Sequence, residues 1–188
     1  MHLTALKHLA QELVNHAPDR SFIIFGSTSV FASHPEITST VETYEQTLDA
    51  DFVPEPIDEG TWRDLRNALG KESRFFEANG YYADINGPRA FECFPADFRE
   101  RLVPLEGVDG VWAIEPNDMA VAKLIAGREK DIRLLSILLA HGYLNASTID
   151  ARLWRMDMDD KLRVRVDLTL KATLAAATKL GYQTESHD

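Results

Sequence analysis

The sequence predicts an α/β fold followed by an all-helical carboxyl-terminal part. Short apolar runs of strand length recur between residues 21 and 114, and segments with apolar residues at helical spacing separate them. After Pro116 the apolar residues recur at helical spacing only, which predicts helices packed on one another. We therefore expect a small mixed sheet flanked by helices over residues 1–115 and a helical subdomain over residues 116–188.

Helices and strands alternate through the first of these parts. Leucines at helical spacing predict a helix over residues 3–14, and an apolar strand follows over residues 21–25. A turn at Gly26-Ser27 is expected to start a second helix, which Pro35 stops ahead of a polar stretch. A second strand is predicted over residues 48–53.

The next elements are separated by Pro and Gly. Pro54 and Pro56 are expected to end the pairing of the second strand, and a helix then runs to Gly70. Residues 80–85 read as a strand that places Tyr82 and Asp84 on one face. The later elements are expected to be a strand over 111–114, a helix from Pro116 interrupted by Gly127, and helices over 131–140, 148–155 and 159–180.

The composition indicates a folded protein whose contacts with nucleic acid would be local. The chain has 188 residues, 45% of them apolar, and a formal net charge of -10 at pH 7. This charge opposes non-specific DNA binding, because neutralising phosphates requires clustered Lys and Arg. No apolar run reaches the length of a membrane span and the amino terminus lacks a basic-then-apolar signal, so we expect a cytoplasmic protein without membrane contact. The single cysteine, Cys93, is expected to be a buried small hydrophobe.

An Asp-x-Asp pair marks the strand predicted over residues 48–53. Asp49 and Asp51 occupy alternate positions, so both carboxylates point to the same face of that strand. Two carboxylates about 7 Å apart repel each other unless a cation lies between them, and Mg²⁺ prefers carboxylate and phosphate oxygens. With a Gly-Ser turn whose backbone can approach a phosphate, the pair indicates nucleotide chemistry. The alternative is the solvated face of an edge strand.

A second charged segment follows the predicted sheet. Lys123, Arg128, Lys130 and Asp131 fall within an otherwise apolar helical stretch. Lys123 and Lys130 are seven residues apart, which places them on nearly the same side of one helix, while Arg128 points elsewhere. Such charge is unusual in a packed helix and makes these cations candidates for binding an anion. The alternative is an amphipathic helix with solvated Lys and Arg.

Together these motifs resemble the nucleotidyltransferase-like domains related to the AbiEii toxins of bacterial type IV toxin–antitoxin systems, which share the DNA polymerase β-type fold. The resemblance is greatest to a DUF6036-like branch of that superfamily and covers roughly residues 20–145. The motifs that carry it occur in the same order and are Gly26-Ser27, Asp49 to Asp51, Gly80 to Ala83 and Gly127 to Asp131.

The resemblance implies metal-dependent transfer of a nucleotidyl group from an NTP. The turn at Gly26 and Ser27 would hold the phosphates, and the metal, Mg²⁺ or Mn²⁺, would be bound by the carboxylates of Asp49, Asp51 and Asp84. Glu92 is the rival of Asp84 as the third carboxylate. The triphosphate would be neutralised by Lys123, Arg128 and Lys130, and Asp131 would orient one of these cations.

Two kinds of acceptor follow from the resemblance, a tRNA end or a protein side chain, together with a toxin-like role and an antitoxin as partner. The chain departs from the toxin pattern in two places. The twenty-one residues Thr28 to Leu48 separate the turn from Asp49, which predicts an extra loop over the pocket, and Leu134 stands where the toxins tend to have an aspartate. A catalytically silent nucleotide- or partner-binding module is therefore an alternative, and a structural interaction protein is another.

Overall fold

Five strands form one mixed sheet. The structure, a computed structural model, describes residues 1–37 and 47–183. Within these ranges the strands are β1 (Ser21–Phe25), β2 (Asp49–Glu55), β3 (Tyr82–Ile85), β4 (Val103–Pro104) and β5 (Val111–Ala113). Their order is β3-β2-β1-β5-β4. The pairs β1–β2 and β4–β5 are antiparallel, whereas β1–β5 and β2–β3 are parallel, which confirms a mixed sheet.

Seven α-helices accompany the sheet in the described ranges. They are α1 (Leu3–His16), α2 (Glu59–Leu69), α3 (Arg74–Asn79), α4 (Pro116–Ala126), α5 (Glu129–Ala140), α6 (Ala146–Arg155) and α7 (Asp160–Lys179). Capping side chains set several of their starts, since Asp58, Asn145 and Asp159 each accept a hydrogen bond from a backbone N–H of the first turn. Short 3-10 helices lie at Ser27–Ala32, Pro88–Phe91 and Phe98–Arg101.

Phe22, Ile24 and Phe52 are fully buried on the face of the sheet opposite the aspartates, and Ile23 and Val53 are buried on the aspartate face. The helix α2 packs on β3 and on α1, whose leucines at positions 6, 9 and 13 are buried too. The apolar face that results from strand alternation and the apolar stripe of α1 therefore pack into one core.

Two local predictions were wrong. The pairing of β2 does not stop at Pro54, which is in register with Phe22. Because β3 pairs with β2 only as far as Phe52, the missing N–H of Pro54 costs no bond to that neighbour. Cys93 is exposed, because it lies in a turn after the 3-10 helix Pro88–Phe91. The loop predicted over the pocket includes residues 38–46, which lie outside the described residues.

The chain forms two compact units. The first contains residues 1–92 and 99–115, and the second contains residues 93–98 and those from 116 onward. In the second unit, α5 packs along α7, and α4 contacts α5, α6 and α7. No helix in the described ranges combines the length and the apolar character needed to cross a membrane. A division into domains at residue 115 stays a prediction.

Candidate functional site

Three carboxylates share one face of the sheet in the first unit. Asp51 of β2 is in register with Asp84 of β3, and Asp49 is in register with Tyr82. Side chains in register on neighbouring strands point to the same face, as do residues two apart on one strand. Neighbouring strands are about 4.8 Å apart, so Asp51 and Asp84 are adjacent across the pair. The structure therefore places the three predicted metal ligands together on one surface, and their role stays a prediction.

The hydroxyl of Tyr82 lies within the field of these carboxylates. Burial raises the pKa of Tyr82, and the negative charges of Asp49, Asp84 and Asp51 raise it further. All three carboxylates therefore raise the pKa of one phenol, which is a second indication that they are close together. The strand alternation predicted the face on which Tyr82 lies, but the sequence assigned it no role.

Gly26 brings the predicted phosphate-binding turn against Asp51. It precedes the 3-10 helix Ser27–Ala32 and has a φ of 70°, which L side chains rarely adopt. A Cβ at this position would lie 2.1 Å from Oδ2 of Asp51. Both the backbone conformation and the space therefore require glycine, and the turn contacts the carboxylate directly.

The same turn contains a buried hydroxyl with no hydrogen-bond partner in the described part of the chain. Thr28 is 1% exposed, and its Oγ1 is unpaired. By contrast, the Ser29 hydroxyl donates to the Gly26 carbonyl at 2.9 Å, and Ser27 is half-buried. Buried hydroxyls are normally satisfied, so an unpaired hydroxyl in this turn is unusual.

The carboxylates match the chemistry of a divalent metal but are not gathered around one point. Asp oxygens are the ligands that Mg²⁺ prefers, and Mn²⁺ accepts the same donors. Among residues 1–37 and 47–183, no three Asp, Glu, His or Cys side chains are arranged so that they could hold a metal ion.

Replacing Gly26 with Ala tests the contact between the turn and Asp51. We expect G26A to lose about 1 kcal/mol or more to backbone strain, plus a further loss because the new Cβ displaces the carboxylate. The matched control is G80A, since Gly80 also has a positive φ, 76°, but nothing lies within 4 Å of an added Cβ. Urea unfolding of both variants measures the difference, and equal losses would show that Asp51 does not contact the turn.

An arginine that the sequence analysis missed lies on the carboxylate face. Glu55 continues the alternation of Asp49 and Asp51 along β2, and both of its oxygens accept hydrogen bonds from Arg99, at 2.6 and 2.9 Å. The Arg99 guanidinium also lies 5.3 Å from the ring centroid of Phe91. The hydrogen bond to Glu55 raises the pKa of Arg99. The alternation could have identified Glu55, but Arg99 comes from a distant segment.

In the second unit, Asp131 binds two of the predicted phosphate-directed cations. Lys123 Nζ lies 3.0 Å from Asp131 Oδ1, and Arg128 Nε lies 2.5 Å from Oδ2. The side chains of Asp131 and Lys123 are 2% and 11% exposed, whereas that of Arg128 is 57% exposed. Burial alone would raise the pKa of Asp131, but the hydrogen bonds and charges of Arg128 and Lys123 lower it by more. Asp131 therefore neutralises both cations within the unit, and its role in orienting them toward a phosphate stays a prediction.

Lys123 and Lys130 lie on separate helices, so the prediction that they share one side of a single helix was wrong, whereas the interruption predicted at Gly127 is confirmed. Gly127 has a φ of 63° and separates α4 from α5, so the helical spacing between the two lysines is lost. Lys130 is exposed and has no ion pair with a described residue. A second buried ion pair, which the sequence did not indicate, joins Arg152 to Asp118 at 2.9 Å.

Glu92, the rival third carboxylate, is not on a strand. It caps the 3-10 helix Pro88–Phe91 and is exposed. Of the two candidates, Asp84 alone has a strand register with Asp51. The structure thus assembles Gly26, Asp49, Asp51 and Asp84 within the first unit, and Lys123, Arg128 and Asp131 within the second.

The sequence matches a known protein family over most of its length. Residues 1–165 match the family described as "Nucleotidyltransferase of unknown function (DUF6036)". No curated protein and no solved structure matches the chain.

Proposed function

The chain belongs to the DUF6036 family of nucleotidyltransferases of unknown function, and from this premise we propose that its first unit transfers a nucleotidyl group from an NTP to an acceptor hydroxyl. The register of Asp51 with Asp84, beside a turn that only glycine can form, carries the proposal. It combines carboxylates on one face with a backbone that an anion can approach.

The residues of the first unit have separate tasks in this proposal. Gly26, Ser27 and Thr28 bind the phosphates through backbone N–H groups and hydroxyls, and the close contact of Gly26 with Asp51 sets the distance between phosphate and carboxylate. Asp49, Asp51 and Asp84 would hold Mg²⁺ or Mn²⁺, which when bound supplies charge neutralisation at the phosphates.

The chemical step is a substitution at the α-phosphorus. The acceptor oxygen forms a bond to that phosphorus, the bond to the bridging oxygen of the β-phosphate breaks, and pyrophosphate leaves. The acceptor hydroxyl gives up its proton, and the adjacent Asp84 is the carboxylate that we assign to accept it. Arg99 lies on the same face of the sheet, where its charge is paired with Glu55.

The acceptor in this proposal is an RNA end or a protein side chain, as the resemblance to AbiEii-related toxins implies. A toxin-like role with an antitoxin partner belongs to the same proposal. The second candidate is a catalytically silent module that binds a nucleotide or a partner. It is favoured by one observation, namely that no three acidic, His or Cys side chains of the described ranges are gathered to hold a metal ion.

Thermal unfolding with each of the four NTPs, in Mg²⁺, Mn²⁺ or EDTA, tests nucleotide binding. A nucleotide at a hundred times its Kd stabilises a protein by about 2.7 kcal/mol, so we expect a higher midpoint with NTP and metal than with EDTA. The variant D167N is the control for charge, because Asp167 is exposed on α7 in the second unit. A shift without turnover would favour the silent module, and no shift with any NTP would contradict both candidates.

A further inference from the structure

A groove lies beside α2 in the first unit, away from the residues assigned above. Its volume is about 460 Å³, and it is lined by Trp62, Arg63, Arg66, Asn67, Lys71 and Glu72. Three of these side chains are cationic and one is a large aromatic. Cations that meet phosphates, next to an aromatic ring on which a base can stack, are the combination by which proteins bind single-stranded nucleic acid.

The aromatic ring in the groove is held in one orientation. Trp62 Nε1 donates a hydrogen bond to the Ile85 carbonyl at 3.0 Å. The guanidinium carbon of Arg66 lies 4.7 Å from the centroid of the Trp62 ring, which is a cation–π contact. A planar guanidinium and an indole fixed against each other form a preorganised stacking surface, since little side-chain freedom is left to lose on binding.

Two cations of the groove are available to a ligand. Arg63 is paired with Glu59 at 2.9 Å, but Arg66 and Lys71 have no carboxylate partner among the described residues. The chain has a net charge of -10, whereas the lining of this groove carries more positive than negative side chains. Their charge complements a phosphodiester backbone, and the one acidic group of the groove, Glu72, leaves the lining positive overall.

The groove is joined to the carboxylate face through the edge of the sheet. β3 is an edge strand, and the carbonyl that anchors Trp62 belongs to Ile85, the residue directly after Asp84. Trp62 is therefore hydrogen-bonded to the residue next to Asp84, the proposed proton acceptor, and the Cα atoms of these two strand residues are about 3.8 Å apart. A chain bound in the groove would pass around this edge toward the carboxylates.

We infer that the α2 groove binds single-stranded nucleic acid, with a base stacked at Trp62 and phosphates contacted by Arg66 and Lys71. The bound strand presents its terminal hydroxyl to the carboxylate face as the acceptor. The inferred binding site depends only on the groove, whereas the use of the strand's terminal hydroxyl as acceptor rests on the proposed function.

Fluorescence anisotropy with labelled RNA and DNA oligonucleotides of about ten nucleotides tests the site. We expect R66Q/K71Q to weaken binding roughly tenfold or more and to reduce the slope of log K against log salt by about 1.4, since each phosphate contact on a single strand contributes about 0.7. The matched control K161Q/K179Q removes the same charge from exposed positions on α7 and should leave both quantities unchanged.

A second variant separates stacking from charge. W62F removes the indole N–H and part of the ring while keeping the cations, so affinity should fall several-fold with the salt slope unchanged. The inference is overturned if the wild-type protein binds neither oligonucleotide, or if R66Q/K71Q binds as tightly as K161Q/K179Q.

Measuring nucleotidyl transfer alongside oligonucleotide binding distinguishes failure of the groove from failure of the proposed chemistry. Oligonucleotide binding that depends on Arg66 and Lys71, without nucleotidyl transfer by any of the proteins, would support the binding site and contradict the proposed function alone.

Discussion

Replacing Asp51 with Asn is expected to abolish nucleotidyl transfer and leave the protein folded. Asp51 contacts the Gly26 turn and is in register with Asp84, so it is the central carboxylate of the proposed site. Removing one metal-binding charge from a phosphoryl-transfer site costs several kcal/mol of transition-state stabilisation, which is roughly a thousandfold or more in rate. Relief of repulsion between neighbouring carboxylates should leave the stability of the free protein unchanged or slightly higher.

Two measurements on three variants complete this prediction. The transfer rate and the midpoint shift produced by NTP with Mg²⁺ are measured for D51N, D49N and D84N, with D167N as the control. We expect D49N also to lose metal-dependent nucleotide binding, and D84N to lose more in rate than in binding if Asp84 accepts the proton. Unchanged nucleotide affinity in both D49N and D51N would show that these carboxylates do not bind the metal.

Replacing Asp131 with Ala is expected to destabilise the second unit strongly. Lys123 is only 11% exposed, and without Asp131 its charge would lose the ion-pair partner that offsets its burial. Removing one member of a buried ion pair typically costs about 3–5 kcal/mol. The control R128A should cost about 1 kcal/mol or less, because that side chain is more than half exposed. Urea unfolding of the two variants measures both losses.

The variant K123A decides between a structural and a phosphate-binding lysine. The contacts predict a lower thermal midpoint, because Asp131 would keep only the more exposed Arg128. A phosphate-binding role predicts instead an unchanged midpoint and a smaller stabilisation by NTP with metal. An unchanged midpoint together with a lost NTP effect would show that Lys123 serves the ligand.

The ion pairs of Asp131 are expected to make the stability of the protein depend on pH. The pKa of Asp131 in the folded protein lies below its usual value of 3.8, so the stabilisation is fully present above that pH and is lost as the pH falls through the lower, folded-state value. The stability difference between wild type and D131N should therefore be constant from neutral pH to about pH 5 and shrink in more acidic solution. A difference that grows on acidification would contradict the assignment.

Local patterns were sufficient to predict the carboxylate face. The alternation of Asp49 and Asp51 with apolar neighbours predicted one face of β2, and the alternation around Asp84 predicted the matching face of β3. The preference for Asp84 over Glu92 followed from the same period of two. A strand side chain has only two directions, so a short stretch of sequence determines which one it takes.

Contacts between distant segments could not be predicted in this way. Arg99 reaches Glu55 across forty-four positions, and no local period links them. Gly127 was expected to interrupt the helix, but helical spacing alone does not show that its positive φ ends α4 and places Lys123 and Lys130 on separate helices. Pro54 pairs with β1 without losing a hydrogen bond to β3, because β3 pairs with β2 only as far as Phe52. The length of β3 cannot be read from the residues around Pro54.

The most direct test of the proposed activity is transfer of label from each of the four α-³²P NTPs, with Mg²⁺ or Mn²⁺, to cellular RNA and protein. We predict labelled RNA or protein with the wild-type protein, release of pyrophosphate in equal amount, and no label above background with D51N. Wild-type protein that binds an NTP with metal but labels neither RNA nor protein, under conditions where D51N loses that binding, would contradict nucleotidyl transfer.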